Sequence, residues 1–312
     1  MAAIEDRNYP LPLSVLMPVY NAEKYVAAAT ESILTQTFGD FEFIVIDDGS
    51  TDGSPSILKS YAAQDSRLRL IIRPNLGLVK TLNQGLAMAR GEFIARMDAD
   101  DFALKDRIAL QVEYLRAQPE CAVVGCSTLW VDSDGDPIAR NDAATSHEKI
   151  TEILLRGRGG LCHPGAMFRR TIAQEVGGYR SEYEYAEDID FFLRCGEHGR
   201  LANLPQCLLE YRQHFTSICA NRYHLQRQRA EAAVHDAYLR RAIHPSSMTL
   251  YFPPRRGESE THRLWSGLAQ RDGFMKTSRK HAMRAVLSSP RSLRSWGRLL
   301  WSLSGSVFSV QR

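Results

Sequence analysis

The sequence predicts an α/β chain, with a mostly parallel central sheet flanked by helices and a basic helical extension behind it. Short apolar runs alternate with helical stretches through the first hundred residues, and the carboxyl ends of those runs are polar or acidic. The charge also divides along the chain. Residues 222–312 hold 17 Lys+Arg against 5 Asp+Glu, a net of +12, which leaves 22 against 31, a net of −9, in residues 1–221.

"LSVLMPV" (13–19) is a short apolar run and reads as a buried strand. Asn21 can cap a helix in which Tyr25, Ala29 and Ile33 recur every four residues. "FEFIVIDD" (41–48), rich in β-branched and aromatic residues, is a second strand ended by the turn cluster "GSTDGSP". Ile57, Leu58 and Tyr61 suggest a helix, "RLRLIIR" (67–73) a third strand, and Leu82, Leu86 and Ala89 another helix before "EFIARMD", the fourth strand. This alternation implies right-handed βαβ units on a parallel sheet, whose ligands sit beyond the carboxyl ends of the strands. Three of those ends are Tyr20-Asn21, Asp47-Asp48 and Asp98-Ala99-Asp100.

A helix is expected at about 105–117, then a strand in "CAVVGCSTLWVD" and a hairpin turn in "DSDGDP". The turn has an EF-hand flavour, but its Gly comes too early and no Glu closes a twelve-residue loop. From Arg222 the pattern is helical and basic, interrupted by "YFPPRRGESE".

At 312 residues, 44% hydrophobic and 24% charged, the chain reads as an ordinary globular protein. Its start lacks the pattern of a signal peptide, and no run reaches the ~18 apolar residues of a spanning helix. Six cysteines without a CxxC pair point to reduced thiols and the cytoplasm.

The stretch with most chemical content is "ARMDADDF" (95–102). In an extended segment side chains alternate, so Asp98 and Asp100 fall on one side and Asp101 on the other. Two converging carboxylates repel unless a cation such as Mg²⁺ or Mn²⁺ lies between them, with positions left for a diphosphate. Alone, the spacing also fits a polar turn in which Asp101 starts the next helix.

Its neighbours add a resemblance. "LSVLMPVYNAEKYVAAATESILTQTFGDFEFIVIDDGSTDGS", "RPNLGLVKTLNQGLAMARGEFIARMDADD", "CHPGAMFRR", "VGGYRSEYEYAEDIDFFLRC" and "YRQHFTSI" occur in the order of the family 2 glycosyltransferases, over roughly residues 12–218. The chain therefore resembles a nucleotide-diphospho-sugar transferase of GT-A fold. The resemblance implies a catalytic domain over 1–221, with a nucleotide-sugar half at about 1–104 and an acceptor half at about 105–221, and leaves 222–312 as the helical extension. It places the nucleotide near Pro18, Tyr20, Glu23, Asp48, Asn75, Lys80 and Asp98, with Asp47 adjacent and Asn83 close by. It assigns a divalent cation (Mn²⁺ or Mg²⁺) to Asp98, Asp100 and His214. Asp188 becomes the base and Glu187 its orienting partner or an acceptor contact.

Each assignment has a plainer alternative. Tyr20 also suits a helix-entry contact, Lys80 a solvated surface and Glu187-Asp188 a helix N-terminus favouring negative charge. His163 is read as shaping the acceptor side, and Arg194 and Arg212 as facing either diphosphate or surface partners.

Processive members carry Gln-x-x-Arg-Trp after the base together with spanning helices; this chain has neither, which implies one sugar per encounter. The expected activity is inverting transfer from a nucleotide-sugar, UDP before dTDP, to a glycan or lipid-linked glycan in bacterial surface polysaccharide or lipopolysaccharide synthesis. Nucleic acid is not an expected partner. Arg291, Arg294 and Arg298 beside Trp296, Leu299, Leu300 and Trp301 suit either an interfacial helix on anionic lipid, at the inner face of the cytoplasmic membrane, or a packed terminal helix. A sugar-1-phosphate nucleotidyltransferase should open with a Gly-rich basic loop, which "PVYNAEKY" is not. A non-catalytic binding relative should lack one of Asp98, Asp100 and Asp188, and all three are present.

Overall fold

The computed structural model describes residues 11–215, 222–244, 250–252 and 255–304. Its strands are β1 (Leu13–Val19), β2 (Phe41–Asp48), β3 (Leu68–Arg73), β4 (Phe93–Arg96), β5 (Phe102–Ala103), β6 (Cys121–Val131), β7 (Pro137–Asn141), β8 (Met167–Arg169) and β9 (Arg200–Arg212). Among the described residues the helices are α1 (Val26–Leu34), α2 (Ser54–Gln64), α3 (Leu78–Met88), α4 (Arg107–Ala117), α5 (His147–Leu155), α6 (Arg170–Glu175) and α7 (Glu187–His198). Four follow: α8 (Tyr223–Arg240), α9 (Glu258–Arg271), α10 (Met275–Ser288) and α11 (Leu293–Leu303).

The sheet order is β3-β2-β1-β4-β8-β6-β9-β5, with β7 on β6. The first four strands are parallel, as their alternation with helices requires. β8 then pairs antiparallel with both β4 and β6, so the parallel character stops at β4. β1 and β2 are buried along their whole length, which is why they read as continuous apolar runs rather than alternating ones.

Two compact units emerge, comprising the described residues of Met1–Thr128, Asp142–Leu209 and His224–Phe252, and those of Leu129–Asn141, Glu210–Tyr223 and Pro253–Arg312. The boundary is therefore not a single cut at residue 221, and the charge division along the sequence does not mark it. In the first unit Leu16, Ile44, Ile46, Val79, Leu82, Ile94, Phe168 and Phe191 share one core. Two smaller cores serve the second, one around Ile138, Ala139 and Trp265 and one of Ala282, Val286 and Leu299. No helix among the described residues is long and apolar enough to cross a membrane.

Two predicted helix starts move. α1 begins at Val26, because Asn21 takes a left-handed backbone (φ 49°) and its side chain accepts from Thr51 N (2.8 Å) instead of capping the helix. Asp101 does not begin α4; it precedes the two-residue strand β5, and the helix starts at Arg107.

Candidate active site

At the amino ends of the parallel strands a buried acid is fully matched. Glu42 accepts from Ser14 Oγ (2.7 Å) and Arg90 N (2.7 Å) and pairs with Arg69 and Arg90, which together hold it below the usual Glu range against the opposing effect of burial. The carboxyl ends are different.

There the loops after β1, β2 and β3 are tied to one another. Asn21 N donates to Ser50 Oγ (2.9 Å), Gly53 N donates to Glu23 Oε2 (2.9 Å), and Asp52 Oδ2 accepts from Glu23 N (3.0 Å). Gly49 (φ +79°) could carry no side chain, since a Cβ would lie 2.5 Å from Asn75 N. Asp48 stands opposite Arg73 in the β2–β3 register, pairs with it at 2.9 Å, and accepts from Leu76 N (2.9 Å) and Gly77 N (2.8 Å). It therefore shapes the loop carrying Asn75. Its neighbour Asp47 is fully buried and bonded to Ser50 N through Oδ1, while Oδ2 has no hydrogen-bond partner among the described residues. Pro18 lies within β1, and Tyr20, just past its end, is 55% exposed. Asn75 and Lys80 are exposed, on the loop and in the first turn of α3.

At the end of β4 the structure gathers Asp98, Asp100 and Asp101, with one carboxylate oxygen from each within 4.8 Å of the others. Asp101 is the member that strand alternation turned away; the chain bends after Met97, so alternation no longer applies. Burial raises the Asp98 carboxyl above its ordinary range, Arg96 opposes the rise and the charge of Asp100 adds to it. Hard oxygen donors this close, partly withdrawn from water, fit a divalent cation. His214 belongs to the second compact unit and is not one of the three grouped acids. The "YRQHFTSI" stretch runs on past Phe215 into residues 216–218, which lie outside the described residues, as does Cys219 among the cysteines.

α7 opens with the other acidic pair. Tyr185, two residues before Glu187, has a positive φ of 76°, uncommon for a non-glycine residue and the kind of backbone that collects at functional sites. Glu187 is 5% exposed, and its Oε2 has no hydrogen-bond partner among the described residues. Burial first, then the charge of Asp188, push its carboxyl up to about 7. Asp188 is half-buried and accepts from Ile189 N (2.8 Å); burial raises it, Arg96 opposes that, and the charge of Asp98 adds to it.

Arg96 is the residue sequence reasoning missed. It is 3% exposed, ion-paired with Asp98, and its field reaches Glu187 and Asp188 as well. It is the last residue of an apolar strand, where the sequence pattern does not set it apart from the run. Fully buried Arg107 supports it from α4, donating to Arg96 O (2.6 Å) and Met97 Sδ (3.4 Å). Nothing in the sequence spacing distinguishes Arg107 from a surface helix arginine.

Four other candidates are held by partners in the framework. Asn83 Oδ1 accepts from Tyr179 N (2.8 Å) and its Nδ2 donates to Tyr179 O (2.7 Å), which commits the side chain to the Gly178–Tyr179 turn rather than to a ligand. Arg194 is buried against Asp190 and donates to Gly178 O (2.8 Å), so it does not face a diphosphate. Arg212 donates to Asp132 O (2.9 Å) in the second unit. His163 Nε2 lies 2.9 Å from Tyr179 Oη, with the Phe192 ring edge-on; burial and Arg96 hold its pKa well below the usual histidine value, so it is neutral.

Comparison with known proteins identifies the family and the fold. Residues 14–177 match the model of "Glycosyl transferase family 2". An "Uncharacterized glycosyltransferase" of Haemophilus influenzae is 32% identical over 72% of each chain. The O-antigen biosynthesis glycosyltransferase WbnJ of Escherichia coli is 32% identical over 65% of this chain and 80% of its own. The E. coli chondroitin synthase is 30% identical over 69% of this chain but only 29% of its own length. Among solved structures, S. aureus TarS 1-349 in complex with UDP superposes with a TM-score of 0.55 at 16% identity, covering 96% of this chain and 94% of that one. A mannosyltransferase from Pyrobaculum calidifontis, in complex with GDP-Man and Mn²⁺, gives 0.55 at 18% identity, covering 97% and 82%. At these identities the structural likeness speaks for the fold, which is GT-A. With the family model covering more than half of its length, the chain belongs to glycosyltransferase family 2 and is a glycosyltransferase.

Proposed function

We propose that the protein is an inverting, non-processive transferase that moves one sugar from a UDP-sugar to a hydroxyl of a glycan or lipid-linked glycan. The setting proposed is bacterial surface polysaccharide or lipopolysaccharide synthesis, at the cytoplasmic face of the membrane. The observation that carries the reading is the grouping of Asp98, Asp100 and Asp101 beside Arg96, whose field also reaches Glu187 and Asp188. Relatives support the setting: one is named for O-antigen biosynthesis and another is a chondroitin synthase. UDP and UDP-GlcNAc are bound in structures of TarS.

In this reading Asp98 and Asp100, with Asp101 beside them, would hold a divalent cation, which would supply charge neutralisation for the leaving diphosphate. Tyr20 presents its exposed ring to the base, Pro18 and Glu23 fix the loop beneath it, and Lys80 and Asn75 lie on the same edge of the sheet. Asp188 takes the proton of the acceptor hydroxyl as its oxygen attacks the anomeric carbon. The bond from that carbon to the diphosphate oxygen breaks with inversion. Glu187, protonated in part near neutral pH, spares Asp188 a second adjacent negative charge and so helps it stay ionised.

The test is turnover of a panel of nucleotide sugars with Mn²⁺ or Mg²⁺, with and without chelator. Metal-dependent release of UDP is expected. Nucleotide binding without turnover on any donor and acceptor would instead favour a binding protein. Asp188→Asn is expected to lower transfer by about 10²–10⁴-fold while UDP binding stays; unchanged transfer would clear Asp188 of the base role.

A further inference from the structure

We infer that α11 is a membrane-docking helix, lying in the plane of an anionic phospholipid surface with its Leu and Trp side in the lipid. This deepens the proposed use of a lipid-linked acceptor, and rests on that reading for its purpose but not for its evidence.

α11 is packed the opposite way round from a helix that ends in water. Its inward side is small and polar: Ser295 and Ser302 are fully buried, with Leu299 between them 7% exposed. Ser295 Oγ lies 3.1 Å from Ser259 Oγ of α9 and accepts from Arg263 Nη1 at 3.1 Å. Ser302 O accepts from Arg279 Nε of α10 (3.4 Å), and Arg298 Nε donates to Ser266 Oγ (2.8 Å). The outward side carries Leu293, Trp296, Leu300 and Leu303, spaced i, i+3, i+7 and i+10, at 87%, 47%, 66% and 57% exposure. On α10, Met283 and Leu287 are also exposed. A large apolar stripe of this kind marks an interaction surface.

Charge selects the occupant. Exposed Arg291 and Arg294 flank the stripe, and residues 255–304 hold 11 Lys+Arg against 3 Asp+Glu, a net of +8. A second copy of the chain would set like charges face to face. An anionic bilayer satisfies the apolar stripe and the cations together, and α11 is too short to do more than lie on it. Trp296 already has its indole N–H bonded to Pro290 O (2.8 Å), so burial of its ring strands no polar group.

The experiment is flotation of the full chain with phosphatidylglycerol/phosphatidylcholine vesicles and with phosphatidylcholine alone, followed by sedimentation without lipid. Wild type is expected to float with the anionic vesicles at least tenfold more than with neutral ones. Leu293→Ser/Leu300→Ser and Arg291→Gln/Arg294→Gln should each lose most of that binding, with unchanged melting temperature and unchanged UDP-sugar hydrolysis. Equal flotation of variants and wild type overturns the proposal, as does a concentration-dependent dimer that the Leu variants abolish. Failure of UDP-sugar hydrolysis in wild type, with vesicle binding intact, would count against the catalytic reading alone.

Discussion

Two acidic clusters with nearly the same spacing, Asp98-Ala99-Asp100-Asp101 and Asp132-Ser133-Asp134-Gly135-Asp136, are treated in opposite ways by the fold. In the second, Lys280 of α10 places its ammonium 2.6 Å from Asp132, 2.9 Å from Asp134 and 2.5 Å from Asp136. Asp132 Oδ1 also accepts from Asp134 N (2.9 Å) and Asp136 N (3.0 Å), and Oδ2 lies 3.1 Å from His281 Nε2. Although burial pulls the other way, these partners drive the Asp132 carboxyl far below its ordinary value. In the first cluster Arg96 pairs with Asp98, and burial still holds Asp98 above the usual range. One loop carries its own cation; the other, on the proposed reading, has the donors for a cation that would have to be supplied.

That contrast can be broken most directly by Asp100→Asn beside Asp134→Asn. The first is expected to lower metal-dependent kcat/KM by about 10²-fold or more, because a ligand carboxylate is lost. The second should leave kcat/KM within about twofold, since Asp134 is a half-exposed acid already paired with Lys280 and Arg284, and such surface pairs contribute little. Equal effects would erase the distinction.

Next in size is Arg96→Met against Lys280→Met. Each strips a guanidinium or ammonium from clustered carboxylates and should cost about 3 kcal/mol by denaturant titration. Millimolar Mn²⁺ should recover much of the loss for Arg96→Met, where the remaining acids are arranged as donors. It should do less for Lys280→Met, whose loop lacks the closing Glu of a calcium site.

The smallest effect is expected at Glu187→Gln. A carboxyl raised from 4.5 to about 7 binds its proton more tightly folded than unfolded, so stability is present below pH 4.5 and is lost as pH rises to 7. The Gln variant should therefore melt higher than wild type at pH 8, by an amount equivalent to at most about 3 kcal/mol, and should match it near pH 4. The acid limb of its transfer rate should stay where it is in wild type, because Glu187 is already protonated there and Gln leaves Asp188 beside an equally uncharged neighbour. A parallel melting curve at both pH values would show that Glu187 is matched by the fold after all.

Much of the fold was legible because its signals are local. The four parallel strands, the "DSDGDP" hairpin and the helices flanking them follow from runs of apolar residues and turn chemistry within a few positions. Asp98 and Asp100 stood out because they follow the end of the fourth strand, whereas Glu187 and Asp188 were singled out only through the family resemblance. Arg96, Arg107 and the commitments of Asn83 and Arg194 were not, since each depends on a partner or on burial that a pattern of neighbours does not encode. Asp101 was assigned away from the cluster because alternation was extended past the end of a strand.

By itself, then, the sequence determined where the four parallel strands lie and that acids follow their carboxyl ends, because strand periodicity and turn residues act over short range. Only the tertiary structure decided which acids are neutralised, since that depends on whether Lys280 or Arg96 is brought against them from elsewhere in the chain. It also decided which side of α11 faces outward, because Ser295, Leu299 and Ser302 found partners on α9 and α10 while Leu293, Leu300 and Leu303 did not become buried.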